Sequence, residues 1–126
     1  MTENKASKKR VLIVDDSNFL RNSLKNILEN LNFEVAGMAE NGLMAITKYK
    51  ELKPDIVMID MIMPQMGGLD CLRLLKKVDP NVNVIMVSSV SSQETVVLCL
   101  KEGAKHYILK PFEENKVKQI MEAFLK

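Results

Sequence analysis

Five short, almost wholly apolar runs punctuate this chain: Val11–Val14, Val35–Ala39, Ile56–Ile59, Val84–Val87 and Tyr107–Leu109. A strand with one wet face alternates apolar and polar residues. Runs this continuous belong to strands covered on both faces. Between them lie stretches with helical spacing. Leu20, Leu24, Ile27, Leu28 and Leu31 line a first helix, Ala45, Ile46, Tyr49 and Leu52 a second, and Leu72, Leu75 and Val78 a third. Val97, Leu100 and Ala104 line a fourth, and Val117, Ile120, Met121 and Phe124 a fifth that runs almost to Lys126. Pro80 and Gly103 suit the ends of the third and fourth. Strand and helix alternate with short connections. The expected fold is therefore α/β, a doubly wound five-stranded parallel sheet with helices on both faces.

Composition narrows the class. A chain of 126 residues makes one domain the default. Lys5, Lys8, Lys9 and Arg10 outweigh Glu3 in the first ten residues, so the overall charge of +2 leaves a slightly acidic body. That excludes a general nucleic-acid binder, which shows a basic face. Residues 1–9 read as a flexible basic leader and 10–126 as the folded domain. The leader is too polar for a secretory signal, and no run reaches the length of a membrane span. Cys71 and Cys99 are isolated thiols, expected to be reduced and structural in a cytoplasmic protein.

In parallel sheets of this kind, ligands bind beyond the carboxyl ends of the strands. Asp15 and Asp16 follow the first run, Asp60 the third, Ser88 the fourth and Lys110 the fifth. Singly, Asp15 or Asp16 could cap a helix. Together, three carboxylates about 5 Å apart repel by roughly 3 kcal/mol per pair at an effective dielectric near 20. A divalent cation offsets this, and hard oxygen ligands favour Mg2+. A carboxylate beside Mg2+ and Lys110 is poised to attack a phosphoryl group. The Ser88 hydroxyl could donate to one phosphoryl oxygen.

Other signals are weaker. Gly37–Gly42 has P-loop glycine spacing, but Leu43 and Met44 follow where Lys and Ser or Thr belong. His106 is the single histidine, expected at the surface beside the fifth strand, so no histidine metal cluster is available. Ser88-Ser89 lacks the G-x-S-x-G elbow of a serine hydrolase.

The ordered motifs Val14-Asp15-Asp16-Ser17, Met58-Ile59-Asp60-Met61-Ile62-Met63-Pro64, Gly67-Gly68, Met86-Val87-Ser88-Ser89 and Lys110-Pro111-Phe112 carry a resemblance. Across residues 10 to 126 the chain resembles response-regulator receiver domains of the stand-alone chemotaxis type. The resemblance implies a flavodoxin-like (βα)5 fold with sheet order 2-1-3-4-5. It implies Asp60 as phosphoacceptor. Asp16, Asp60 and the backbone carbonyl of Ile62 would hold Mg2+ directly, and Asp15 through water. Lys110 would pair with the phosphoryl group, Ser88 and Tyr107 would form a switch pair, and the Lys110–Pro111 bond would be cis.

Ile62 and Val90 depart from the fast-cycling pattern, in which these positions are often polar and orient the attacking water. Slow self-dephosphorylation is expected, with a separate phosphatase. At 100° per residue, Val97, Leu100 and Ala104 share the presumed core face of the fourth helix, Leu98 lies off that arc, and Val96 and Cys99 flank it. Val96, Leu98, Cys99 and Tyr107 are then candidates for a partner surface on the face this family uses for output.

The function implied is a monomeric signalling switch that assists its own phosphorylation and dephosphorylation and is not otherwise an enzyme. A histidine kinase would phosphorylate Asp60, and the output would be protein binding, such as to the flagellar motor switch. Two alternatives stay open: a phosphorelay intermediate that passes its phosphoryl group to a histidine phosphotransfer domain, and a receiver cut from a DNA-binding regulator. Met1 and the polar leader are expected to mark a natural start, and a chain ending with its fifth helix is expected to leave no room for a DNA-binding output domain. A magnesium-dependent phosphatase of small molecules would need a second acid near Asp60.

Overall fold

The computed structural model describes residues 8–124. The greater part of the expected leader, residues 1–7, and the final residues 125–126 lie outside them. Strands and helices alternate throughout: β1 Arg10–Val14, α1 Asn18–Asn30, β2 Glu34–Ala39, α2 Gly42–Leu52, β3 Ile56–Ile59, α3 Gly68–Val78, β4 Val84–Ser88, α4 Gln93–Lys101, β5 His106–Leu109 and α5 Glu114–Met121. A 3-10 turn, Glu122–Phe124, ends the described chain. The sheet runs β2-β1-β3-β4-β5 and every pair is parallel. This is the doubly wound five-stranded sheet expected from the apolar runs, in the order the resemblance implied.

Alternate residues of each strand feed two separate cores. Leu12, Val14, Val57, Ile59, Val84 and Met86 pack beneath α2, α3 and α4. Val11, Ile13, Ile56, Met58, Ile85 and Val87 pack beneath α1 and α5, with Phe33 fully buried among them. With both faces covered, a polar residue in the middle of β1, β3 or β4 would be buried whichever way it pointed. That is the physical reason for their continuous apolar runs.

Local chemistry sets the helix ends. Ser17, Asn41 and Ser92 cap α1, α2 and α4, each side-chain oxygen accepting from a backbone N–H three residues on, at 3.2, 2.8 and 3.2 Å. At the opposite edge, Arg10 donates from its guanidinium to the Leu52 carbonyl at 2.6 Å and from its backbone to Asp55 Oδ2 at 2.8 Å. The cation thus sits against the negative end of α2. Gly103 (φ +113°) turns the chain out of α4, and the Ala104 N–H reaches back to the Cys99 carbonyl at 3.0 Å. Only glycine adopts that backbone without strain.

One expectation about α4 is overturned. Cys99 is fully buried, so it is no part of a partner surface, while Val97, Leu98 and Leu100 are exposed at 40, 39 and 44 %. The seam that meets the body is Cys99 with half-buried Val96 one turn earlier. Five consecutive apolar residues fit a helix in any rotational phase, so the run 96–100 could not specify which side faces inward. A smaller correction concerns α3, which buries Cys71, Leu72 and Leu75 and leaves Val78 exposed. His106 opens β5 half-buried, its ring edge-on to Phe124 at 6.1 Å, rather than standing free at the surface.

Candidate functional site

The sheet ladder continues one residue past three strands, and those three residues carry the site. The Asp15 N–H bonds the Ala39 carbonyl at 3.0 Å, Asp60 that of Val14 at 2.9 Å, and Lys110 that of Ser88 at 2.9 Å. Their backbones are therefore registered by the sheet, not by loop packing. Asp15, Asp16 and Asp60 each present a carboxylate oxygen, all within 4.8 Å of one another. Asp15 and Asp60 are buried and Asp16 is exposed. Lys110 Nζ lies 2.8 Å from Asp15 Oδ2 and 3.4 Å from Asp60 Oδ2. The Lys110–Pro111 bond is cis.

One ammonium faces three carboxylates, so the cluster keeps an excess of negative charge in a largely dehydrated place. Burial pushes the Asp60 carboxyl above its ordinary range; Lys110 pulls it down, and Asp15 adds to the rise. The donor set is all oxygen, and it fits a hard divalent cation of the magnesium type. Ser17 N–H holds Asp15 Oδ1 at 2.9 Å, and Ile62 N–H approaches Asp60 Oδ1 at 3.5 Å.

Ser88 is fully buried at the end of β4. Its Oγ accepts the Val90 N–H at 3.1 Å, while the Tyr107 hydroxyl donates to the Val90 carbonyl at 2.6 Å. The Val90 backbone is thus held at its N–H by Ser88 and at its carbonyl by Tyr107, the two residues named as a switch pair. Burial raises the Tyr107 phenol above its ordinary value. On the rim, Ile62 is 65 % exposed and Val90 half-buried; neither offers a polar side chain to water at the carboxylates.

Three supporting contacts were not assigned a role from sequence. Arg21 Nη1 donates to the Asp15 carbonyl at 2.6 Å and Nη2 to Asn18 Oδ1 at 3.2 Å, bracing the turn that carries both leading aspartates. Nothing in the sequence separates Arg21 from any other polar residue of α1. Gly68 donates to the Met61 carbonyl at 2.8 Å and lies so close that an added Cβ would meet the Asp60 carbonyl oxygen at 2.3 Å. The Gly67-Gly68 pair was the signal for that approach. Met61 itself reaches inward, its Sδ 3.5 Å from Cys99 Sγ.

Fold and site together define a receiver domain. Residues 11–122 match the family model described as response regulator receiver domain, and the chain belongs to that family. Among its relatives is chemotaxis protein CheY of Thermotoga maritima, 50% identical over 86% of this chain and 91% of that protein. Chemotaxis protein CheY of Listeria monocytogenes is 47% identical over 90% of this chain and 95% of the relative. Among solved structures, a chain of the CheX-CheY-BeF3-Mg2+ complex from Borrelia burgdorferi superposes with a TM-score of 0.90. It is 40% identical, and the match covers 94% of this chain and 90% of that one. A receiver of this CheY-like type is a response regulator, a signalling switch of chemotaxis.

Proposed function

We propose that this chain is a single-domain response regulator of chemotaxis that takes a phosphoryl group from a histidine kinase onto Asp60. The observation that carries it is the convergence of Asp15, Asp16, Asp60 and Lys110 on one edge of the sheet. An Asp60 carboxylate oxygen attacks phosphorus as the P–N bond of the donor phosphohistidine breaks, and the imidazole leaves with that electron pair. Asp16, Asp60 and the Ile62 carbonyl would hold Mg2+, with Asp15 beside them; the ion supplies charge neutralisation for the phosphoryl oxygens. Lys110 Nζ, already between Asp15 and Asp60, pairs with a phosphoryl oxygen. Ser88 Oγ uses an acceptor lone pair on Val90 N–H, which leaves its O–H free to donate to another.

The switch would be the backbone of Val90. When Ser88 turns toward a phosphoryl group, its hold on the Val90 N–H changes, and Tyr107 is bonded to the carbonyl of the same residue. Output would fall on the α4 face, where Leu98 is exposed, Val96 is half-buried and Tyr107 stands nearby on β5. The partner is a protein such as the flagellar motor switch. The chain would act in the cytoplasm as a monomer, with residues 1–9 as leader and 10–126 as the domain; its two free cysteines are buried. Incubation with acetyl phosphate tests the assignment: mass spectrometry should find one phosphoryl group on Asp60, only when Mg2+ is present. Labelling at any other residue, or labelling in EDTA, would refute it.

The apolar rim has a kinetic consequence. The side chains of Ile62 and Val90 cannot hydrogen-bond a water molecule aimed at the acyl phosphate, so the phosphoryl group should persist for minutes or longer unless a separate phosphatase acts. Decay followed after removal of the phosphodonor measures this, and a half-life of seconds or less contradicts it.

A further inference from the structure

We propose that Met61 and Cys99 form a second mechanical link from the phosphoacceptor loop to α4, distinct from the Ser88–Val90–Tyr107 link. The inference rests on Asp60 being the phosphoacceptor and adds positioning residues to that function.

The link begins in the loop. Met61 follows Asp60 directly, and its carbonyl is tied to Gly68 N–H at 2.8 Å. The backbone of Asp60 and Met61 lies against Gly68 with no room for even a methyl group. A displacement at Asp60 is therefore passed to Met61 and not absorbed by slack. From there the Met61 side chain runs into the core beneath α2, α3 and α4 and ends at Cys99, Sδ to Sγ 3.5 Å.

The other end is α4. Cys99 is its one fully buried residue, while Val97, Leu98 and Leu100 are exposed. A helix seated by so narrow a seam belongs to the low-stability end of the fold and moves at little cost. Its C-terminal end is also tethered, through Arg73 to Glu102 at 3.2 Å, but by an exposed ion pair of small energy. The contact that ties α4 to the Asp60 loop is thus a polarizable thioether on a thiol. An unbranched methionine can follow a sliding partner without losing contact. Burial pushes the Cys99 thiol up, which keeps it a neutral packing group and not a nucleophile.

A double-mutant cycle tests the link. Mg2+ with beryllofluoride serves as the phosphoryl mimic, and hydrogen–deuterium exchange of the α4 amides is the readout. In the wild type, addition of the mimic should change α4 exchange. Met61→Ala and Cys99→Ala should each reduce that change roughly twofold or more, and the double variant should lose no more than either single. Changes that add, or single variants that respond as the wild type does, overturn the proposal, since a merely structural loss of packing would not erase the response non-additively. If the truncations fail to fold, Met61→Val and Cys99→Ser are read by the same criterion. A wild type in which the mimic alters no amide, including those of the Asp60 loop, refutes the phosphoacceptor assignment instead.

Discussion

Asp60→Asn should abolish phosphoryl uptake from acetyl phosphate and, at the same time, raise the melting temperature of the metal-free protein. The first effect follows because the nucleophilic oxygen is gone and an amide does not replace it. The second follows from electrostatics. Asp60 is buried beside Asp15 and Asp16, with oxygens of all three within 4.8 Å, and one ammonium between them. Its carboxyl is held above the ordinary range, first by burial and then by Asp15, against the pull of Lys110. For an acid raised in the folded state, the folded form binds the proton more tightly than the unfolded one. The contribution to stability is fully present below the unfolded value and is lost as pH rises through the folded value. At neutral pH the ionised Asp60 is therefore a cost that asparagine removes. A rise of a few degrees is expected, the response of a domain this size to about 1 kcal/mol. The gap between variant and wild type should narrow as pH is lowered toward the carboxylate range. Mg2+ should raise the wild-type melting point more than the variant's, because the ion neutralises the same repulsion. Thermal melts in EDTA and in Mg2+, at neutral and acid pH, measure all of this; a metal-free variant less stable than the wild type would show that Lys110 outweighs the repulsion.

That prediction draws on features of the sequence that were unequally visible. The sheet was legible because burial on both faces leaves a mark no other strand environment leaves: β3 is Ile-Val-Met-Ile without a polar break, and every one of those side chains is buried. The site was legible in outline for a related reason. A charged residue directly after such a run stands at a strand end, so Asp15, Asp60 and Lys110 had to share one edge once the strands were parallel. The closeness of their oxygens depends on β1 and β3 being neighbours, which the apolar runs alone do not give and only the family resemblance implied. The rotational phase of α4 was hidden for the opposite reason. Val96 to Leu100 are all apolar, so the pattern carries no contrast, and the helix turns Cys99 inward, where its Sγ meets Met61 Sδ. Arg21 is the third kind of case. Its work is a side chain to backbone bond at the Asp15 carbonyl, and backbone partners leave no trace in residue types.

Gly68→Ala is expected to lower the melting temperature and to slow phosphorylation together, whereas Gly67→Ala should do little of either. The neighbours look interchangeable in sequence, and the structure separates them. A Cβ on Gly68 would stand 2.3 Å from the Asp60 carbonyl oxygen, 2.8 Å from Met61 Cα and 2.9 Å from the Asp60 carbonyl carbon. All three are backbone atoms, so no rotamer change can relieve the overlap. Either α3 moves away from the sheet or the loop bearing Asp60 is pushed out of register. Overpacking of this kind costs about 1–3 kcal/mol, which is several degrees for a domain of this length. The displacement falls on the residue that must lie in line with the incoming phosphoryl group, where a misplacement of about 1 Å costs on the order of a hundredfold in rate. A Cβ on Gly67 would meet the Met61 carbonyl at 3.3 Å, a contact that a shift of a few tenths of an ångström removes. Melting curves and phosphorylation rates of the two variants, measured side by side, decide the matter. Equal effects at 67 and 68 would mean that the glycines serve the turn into α3. A loss of rate at 68 larger than its loss of stability explains would mean that this glycine is there to let Asp60 sit where the chemistry needs it.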